Sequence, residues 1–492
     1  MSMTNPLTVA VLGAGLTGLT AAYQLRRGLG PGARIVVMDP ATEIGGKLKT
    51  VDADNGALDI GAEAFLGFRK DAVDFFTDIG LADEFVLPST LPSKLYANGQ
   101  LVSMPRTTVM GVPVSSDGLD GLISEETAKR IDTEGDPALT PPLHWVPGDD
   151  CNLGQLVEAR LGREVVDHVV SPLIGGVYST LADDLGLRAT VPQLAQALDE
   201  LVLLGDPVSL TGAAQRVLDA RKAAAQPRVG SEAATSGDEA KPAKPMPVFK
   251  TFRGGYRVVY NRLLELAAPE LKLGVMPSAI AADGRGYRIR TDEAAVADSL
   301  YVDAVVVAAP APQTGTLLTD VAPDAAELIG AIDLANSAVV AMRFDTDEGL
   351  PQINGILVAA DADLSAKAFT LSSRKWPHIG ERGGAVVRAS FGRFGDDSTV
   401  RLRDDELVAK AQQDLATTTG FAVEPVEVIV QRWWGGLPRY GKGHPEFMRF
   451  VDDALAETPR LAVAGAWHHG PGIPACIADA KDAAAKVIRE VA

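Results

Sequence analysis

The sequence contains few cysteines, few aromatic residues and less positive than negative charge. Its 492 residues include 2 cysteines, and aromatic residues make up 5%. Cys151 and Cys476 lack the partners that a disulfide framework, a redox motif or a zinc site requires. The 46 basic residues face 64 acidic ones, a formal net charge of −18. Nucleic acid and anionic lipid are therefore not expected as partners, because both need a positive surface.

Long apolar runs are also missing. None reaches the roughly 18 residues that a membrane helix needs, so no integral membrane segment is expected. The apolar start, Leu7 to Leu25, is interrupted by glycines and has no basic leader, which argues against a signal peptide and for a cytoplasmic location. Hydrophobic residues nevertheless make up 46%, enough for a sizeable core, and the length predicts two to four domains or subdomains.

The N-terminal region has the pattern of a βαβ unit. A buried strand is predicted over Leu7–Leu12, a helix over Leu16–Leu25 and a second strand over Arg34–Met38. The first turn reads G-x-G-x-x-G, formed by Gly13, Ala14, Gly15, Leu16, Thr17 and Gly18. Its glycines let the backbone approach a pyrophosphate at a helix N-terminus, and Asp39 is placed to accept a hydrogen bond from a ribose hydroxyl. This combination predicts dinucleotide binding.

Two further glycine segments follow the second strand. Gly45 and Gly46, followed by Lys47, permit close approach of an extended cofactor, with Lys47 near its pyrophosphate. The second segment, Gly61, Ala62, Glu63 and Ala64, completes a pattern that resembles FAD proteins of the amine oxidase and desaturase superfamily. Beyond it, the apolar spacing from Asp71 to Phe85 predicts a helix.

The C-terminal region predicts a second contribution to the same site. Leu461–Ala464 reads as a strand ending at Gly465, and a helix follows a turn containing Gly472, Ile473 and Pro474. Proline is favoured in a first helical turn. The N-terminus of such a helix would stabilise the anionic reduced flavin through its dipole. The alternative is an ordinary strand–turn–helix connection.

Specific motifs resemble one family. They are Ser171–Ser179 (SPLIGGVYS), Phe252–Gly255 (FRGG), Ser372–His378 (SSRKWPH), Leu437–Tyr440 (LPRY) and Gly472–Cys476 (GIPAC). In this order they resemble the oxygen-dependent protoporphyrinogen/coproporphyrinogen III oxidase family of haem biosynthesis. The resemblance covers nearly the whole chain; residues 222–246, which contain no Leu, Ile or aromatic residue, lie outside it.

The resemblance implies an α/β fold, α+β overall, of the amine-oxidase-like superfamily. It combines an FAD-binding Rossmann-like domain, a mixed-sheet substrate domain and a helical subdomain. The FAD-binding domain is predicted over 1–95, 247–310 and 456–492. A helical, substrate-lining subdomain is predicted over 96–221, a mobile linker over 222–246 and a β-rich substrate domain over 311–455.

The same resemblance implies a cofactor site for non-covalent FAD. Its contacts carry over to the three glycine segments with Asp39 and Lys47, to Trp433, and to Gly465 and the Gly472–Pro474 turn. The adenine contact falls near Met276; the next residue, Pro277, has no N–H to donate. No metal site is predicted, because His468-His469 has no third ligand in the sequence.

The activity implied is the six-electron oxidation of a porphyrinogen to a porphyrin. In each of three cycles a hydride passes from a meso carbon to the flavin, and O2 reoxidises it with release of H2O2. No catalytic residue is assigned, because the flavin does the chemistry. Coproporphyrinogen III is favoured as substrate, and protoporphyrinogen IX is the alternative. Other haem-pathway enzymes are candidate partners.

The substrate needs an apolar slot with cations at its rim. Candidates for substrate binding are Arg69, Lys70, Tyr178 and Trp376. The alternative for Arg69 and Lys70 is a solvated basic pair, and the alternative for Tyr178 and Trp376 is core packing. Arg374, Lys375, Arg388 and Arg393 are further rim candidates, each with a surface or ion-pair role as its alternative. Two other functions stay open: another flavin amine oxidase or desaturase, with Cys476 as a conceivable covalent tether, and a non-catalytic flavin-bearing binding protein.

Overall fold

The computed structural model describes residues 6–225, 248–291 and 299–492. The predicted linker over 222–246 lies, beyond residue 225, outside the described residues. The strands are β1 (Thr8–Leu12), β2 (Arg34–Asp39), β3 (Thr50–Ala53), β4 (Gly56–Asp59), β5 (Phe65–Leu66), β6 (Phe85–Val86), β7 (Ser93–Ala97), β8 (Gln100–Ser103), β9 (Thr108–Val109), β10 (Val112–Pro113), β11 (Phe249–Phe252), β12 (Glu270–Leu273), β13 (Pro277–Asp283), β14 (Gly286–Thr291), β15 (Leu300–Val302), β16 (Ala304–Val307), β17 (Leu334–Phe344), β18 (Gly355–Val358), β19 (Ala368–Thr370), β20 (Ala385–Phe391), β21 (Glu427–Pro438) and β22 (Leu461–Val463). The helices are α1 (Leu16–Leu29), α2 (Lys70–Asp78), α3 (Glu125–Thr133), α4 (Leu153–Leu161), α5 (Arg163–Val165), α6 (Ser171–Tyr178), α7 (Leu187–Thr190), α8 (Pro192–Leu204), α9 (Leu210–Ala225), α10 (Arg257–Ala267), α11 (Ala311–Leu318), α12 (Pro323–Gly330), α13 (Ser372–Lys375), α14 (Pro377–Gly380), α15 (Asp404–Thr419), α16 (His444–Leu455) and α17 (Ile473–Val491).

A parallel sheet joins segments from the beginning, middle and end of the chain. Its order is β12-β2-β1-β16-β22, with every neighbouring pair parallel. Val9 and Val11 of β1 pack with α1, α10 and α17 on one face, and Ala10 and Leu12 pack against α11, α12 and α16 on the other. Because helices cover both faces, β1 is buried at every position. The predicted βαβ unit is confirmed.

A second, mixed sheet has the order β21-β17-β20-β19-β18-β7-β8. The two strands at one edge, β7 and β8, form a hairpin. Its turn residues Asn98 and Gly99 have φ angles of 53° and 73°, which fit a type I′ turn, and the Asn-Gly pair in the sequence predicts this turn. One face of the sheet packs on α15. On the opposite face Val386 and Arg388 are buried, whereas Leu357, Ala368 and Ser390 further along are half buried. We call the half-buried part formed by these three residues the open face.

The helix predicted from Asp71 to Phe85 is shorter than expected. It ends at Asp78 in α2, and Gly80 follows with φ +84°, a left-handed conformation that turns the chain out of the helix. Phe85 then pairs with Phe252 across β6 and β11. Tertiary pairing therefore outweighs the helical spacing of the apolar residues. The predicted α/β fold class, with its parallel and mixed sheets and a helical region, is confirmed.

Candidate cofactor and substrate site

The first glycine turn lies at the carboxyl end of β1 and is held by close backbone packing. Gly13 has φ +121°, and a Cβ there would stand 2.4 Å from the carbonyl oxygen of Ala308. A Cβ on Gly18 would stand 1.9 Å from the Gly13 carbonyl oxygen. No side chain fits at either position, so the turn stays narrow and α1 begins immediately behind it. This is the geometry that a pyrophosphate at a helix N-terminus requires.

The second glycine pair packs on the first turn. The Gly45 N–H donates to the Ala14 carbonyl at 2.9 Å, and a Cβ on Gly46 would stand 3.1 Å from the Cα of Gly15. Lys47 follows with a solvent-accessible side chain that makes no hydrogen bond or ion pair with another described residue. Although part of Lys47 reaches solvent, the surrounding protein desolvates its amine and lowers the pKa of Lys47 to about 8. An unpaired cation beside two glycine turns fits a pyrophosphate.

Asp39 lies at the end of β2, beside the first turn. Its carboxylate accepts hydrogen bonds from the N–H of Ala14 at 2.7 Å and of Ala41 at 2.8 Å. Val275 donates its N–H to the Asp39 carbonyl at 3.1 Å, which brings Met276, 47% exposed, to the same end of the sheet. Asp39 therefore braces the turn in addition to its predicted ribose contact, and the adenine contact at Met276 stays a prediction.

The two glycine turns at Gly13–Gly18 and Gly45–Gly46, with Lys47, form what we call the cofactor cradle. The Gly61–Ala64 segment connects this cradle to the mixed sheet. A Cβ on Gly61 would stand 2.1 Å from the Lys47 carbonyl oxygen, and the Ala62 N–H donates to that oxygen at 3.2 Å. From β21, the Trp433 indole N–H donates to the Ile60 carbonyl at 3.2 Å. The structure thus brings Lys47, the Gly61 segment and Trp433 together, although Trp433 is 373 positions away from its partner in the chain.

Glu63 is the centre of a cluster of charges that the sequence did not reveal. Its carboxylate accepts from the Arg388 guanidinium at 2.8 Å and from the Trp376 indole N–H, and the Lys375 amine lies 3.7 Å away. Although burial disfavours the charged form, these cations hold the pKa of Glu63 below its ordinary value. Arg388 also donates to the Gly61 carbonyl at 2.8 Å. The cluster fixes the Gly61 segment on β20.

The C-terminal turn is fixed by a second charged cluster. Asp479, on α17, accepts from the Gly465 N–H at 2.7 Å and interacts with both His468 and His469, at 2.8 and 2.9 Å. His468 also reaches Asp452 of α16 at 3.0 Å. Burial opposes a charged imidazole, but the two carboxylates raise the pKa of His468 to about 9. The turn before α17 is thereby clamped at neutral pH.

Gly472, Ile473 and Pro474 stand at the start of α17. Gly472 is the N-terminal cap and Ile473 the first helical residue. The first-turn amides are free of intrahelical partners, so they carry the positive end of the helix dipole. Gly465 and the Gly472–Pro474 turn therefore lie in one clamped connection between β22 and α17. Their contacts with FAD remain a prediction.

The premise that His468-His469 lacks a third ligand is wrong. Asp452 supplies one, and the three potential donor atoms lie within 4.8 Å of one another. Both nitrogens of His468 are nevertheless engaged by carboxylates. We interpret the group as an ion-pair cluster.

The four predicted substrate residues have different surroundings. Trp376 and Tyr178 are buried, at 1% and 8% exposure, and Tyr178 packs edge-on against Tyr440. Arg69 caps the start of α2 and forms a two-point ion pair with Asp71 at 2.9 and 2.6 Å, so part of its charge is already neutralised. Lys70 is exposed. Binding roles for all four stay predictions.

Three of the other rim candidates are engaged in ion pairs. Arg374 pairs with Asp347 at 2.8 Å, while Lys375 and Arg388 approach Glu63. The charges of these three residues are therefore used in contacts within the protein. Arg393 differs, because its guanidinium has no hydrogen bond or ion pair with another described residue.

Among the helices of the described residues, none combines the length and the hydropathy that crossing a membrane would need.

The chain matches known flavoproteins over nearly its full length. A family model described as "Flavin containing amine oxidoreductase" matches residues 16–488. Coproporphyrinogen III oxidase of Mycobacterium tuberculosis is 36% identical over 485 residues, covering 98% of both chains. The enzyme of the same name from Bacillus subtilis is 27% identical over 489 residues, covering 96% of both. A solved structure from Exiguobacterium sp. 255-15, described provisionally as a protoporphyrinogen oxidase, has a TM-score of 0.81 at 28% identity and covers 98% of this chain and 99% of that one.

Proposed function

Since the chain belongs to the flavin containing amine oxidoreductases and, within them, to the family of the coproporphyrinogen III oxidases, we propose that it converts coproporphyrinogen III to coproporphyrin III. The bound FAD supplies hydride acceptance and reaction with O2. The protein binds, orients and shields the substrate. O2 is the proposed oxidant and H2O2 the second product.

One observation supports this function above others: the open face of the mixed sheet lies next to the Gly61–Ala64 segment. Arg388, on β20, touches both Glu63 and Gly61. Two residues further along the same strand and on the same side, Ser390 is half buried, beside Ala368 of β19. A half-buried surface with small residues next to the cofactor cradle fits a flat macrocycle better than a small amine.

The protein's contribution to the reaction is orientation and electrostatics. The clamped turn before α17 directs the positive end of the helix dipole at the cofactor cradle, where negative charge develops on reduction. Glu63 keeps Arg388 fixed under the Gly61 segment. None of the described side chains is assigned as an obligatory base. The rate therefore depends on how closely the protein places a substrate carbon against the cofactor.

The test is a porphyrin fluorescence assay under air with coproporphyrinogen III and, in parallel, protoporphyrinogen IX. We expect porphyrin to form faster than in the autoxidation control, with kcat/KM greater for coproporphyrinogen III. Faster turnover of protoporphyrinogen IX would overturn the substrate assignment. Formation of porphyrin no faster than autoxidation with either substrate would leave the chain as a flavin-bearing binding protein.

A further inference from the structure

Two basic residues and a serine lie at the end of the open face away from Glu63. Lys367 directly precedes β19, Arg393 follows β20 by two residues, and Ser179 directly follows α6. We call these three residues the basic corner. They come from two segments of the mixed sheet and one of the helical region, so the corner exists only in the folded chain.

Lys367 is held by neutral oxygen atoms. Its amine donates to the hydroxyl of Ser179 and to the carbonyl of Gly392, the latter at 2.7 Å. Ser179 is 2% exposed and has φ +55°, an uncommon conformation for a serine. Lys367 forms no ion pair with a described carboxylate. Its amine is therefore fixed in place without a carboxylate partner.

Arg393 brings a second positive charge to the same place. The N–H of Arg393 donates to the Asp396 carbonyl at 3.0 Å. The Asp396 carboxylate accepts from Ser398 and, without forming an ion pair with Arg393, offsets part of its charge. Burial, reinforced by the charge of Arg393, lowers the pKa of Lys367 to about 7. Two neighbouring, partly desolvated cations repel each other, and a bound anion would relieve that repulsion.

The position of the corner relative to the cofactor suits a large ligand. Arg393 is five residues beyond Arg388: β20 continues to Phe391, roughly 10 Å at the ordinary rise per residue, and Gly392, with φ +80°, then turns the chain. The space between them is bordered by the open face and by α6, where Gly176 and Val177 are exposed. A Cβ on Gly176 would stand 3.9 Å from Leu357 on that face. A ligand reaching from the flavin segment to the corner would carry its negative charge at its outer edge.

We propose that Lys367 and Arg393 bind a propionate carboxylate of the porphyrinogen. The inference rests on the proposed function, whose substrate has an apolar centre and carboxylates at its periphery. The guanidinium of Arg393 offers two parallel donors to the carboxylate, and Lys367, oriented by Ser179, offers a point charge. Both residues are binding residues, distant from the reacting carbon.

The experiment compares Arg393→Gln and Lys367→Gln with Arg449→Gln, which removes an exposed positive charge on α16. Holoenzymes are titrated with coproporphyrin III, and KM and kcat are measured with coproporphyrinogen III. We expect the first two variants to raise Kd and KM by about tenfold each, the loss typical of a charge-assisted hydrogen bond, with kcat changed by less than about twofold. Arg449→Gln should match the parent, and Arg393→Lys should recover part of the affinity.

Binding and turnover separate this inference from the proposed function. If the parent enzyme forms no porphyrin above autoxidation, the function fails, while the coproporphyrin titration still tests the corner. Unchanged Kd in flavin-loaded Arg393→Gln would overturn the inference, even if Lys367→Gln failed to fold. An equal loss of affinity in Arg393→Lys and Arg393→Gln would also overturn it, because the positive charge would then have no role.

Discussion

Replacing Glu63 by glutamine removes the charge at the centre of the cluster under the flavin segment. In the parent, Arg388 is 6% exposed and relies on Glu63 at 2.8 Å as its carboxylate partner, while its Nε atom has no hydrogen-bond partner among the described residues. Glu63→Gln would leave that guanidinium buried without a counter-charge. Breaking such a pair from one side typically costs about 3–5 kcal/mol. We expect an apparent loss of stability in this range.

The assay is urea unfolding of the holoenzyme, with flavin content measured in parallel. Glu270→Gln is the control, since it breaks the Arg34–Glu270 pair, whose side chains are 41% and 40% exposed, and should cost less than about 1 kcal/mol. The double variant Glu63→Gln, Arg388→Met should be more stable than Glu63→Gln alone, because the buried guanidinium is removed together with its carboxylate partner. If Glu63→Gln costs no more than Glu270→Gln, the role assigned to the cluster is wrong.

Three further predictions concern the two ends of the chain. Gly13→Ala should abolish flavin loading, because its Cβ would stand 2.4 Å from a carbonyl oxygen; Gly32→Ala, where a Cβ meets nothing within 4 Å, should load normally, and the ratio of flavin to protein absorbance checks both. The pKa of His468 is raised from 6.5 to about 9, so its charged form adds at most about 3 kcal/mol to the free energy of unfolding. This stabilisation is complete below the unfolded pKa of histidine and is lost as the pH rises through about 9. His468→Gln should therefore flatten the dependence of stability on pH in this range, and a parent-like profile in the variant would contradict the clamp. Denaturation should release all flavin, because burial raises the pKa of the Cys476 thiol to about 11 and so keeps it protonated, which does not favour a thioether tether; flavin that stays with the precipitated chain would show a covalent link.

Local signals were sufficient for the cofactor cradle. The turn at Gly13–Gly18 follows its strand and precedes its helix within a few residues, so spacing and residue type specify it. Even the packing of Gly45 on Ala14 joins segments only about 30 residues apart. The type I′ turn at Asn98-Gly99 is likewise a local property of two residues.

The charged clusters could not be predicted in this way. Glu63 and Arg388 are 325 positions apart, and no periodicity in the sequence links them. Arg388 and Arg393 look alike in the sequence as candidates for the rim, but one is paired to a buried carboxylate and the other is not. Only the fold distinguishes them. The Asp479–His468 contact spans 11 positions, and the acidic residue in the second turn of α17 was a signal that could have been used.

The most direct test of the central claim is anaerobic mixing of the purified protein with coproporphyrinogen III. The account predicts a visible flavin absorption band that bleaches on mixing, because the first two-electron step reduces the flavin, and that returns, with formation of coproporphyrin, when air is admitted. A protein that carries no flavin, or whose flavin band persists unchanged in the presence of substrate, would contradict it.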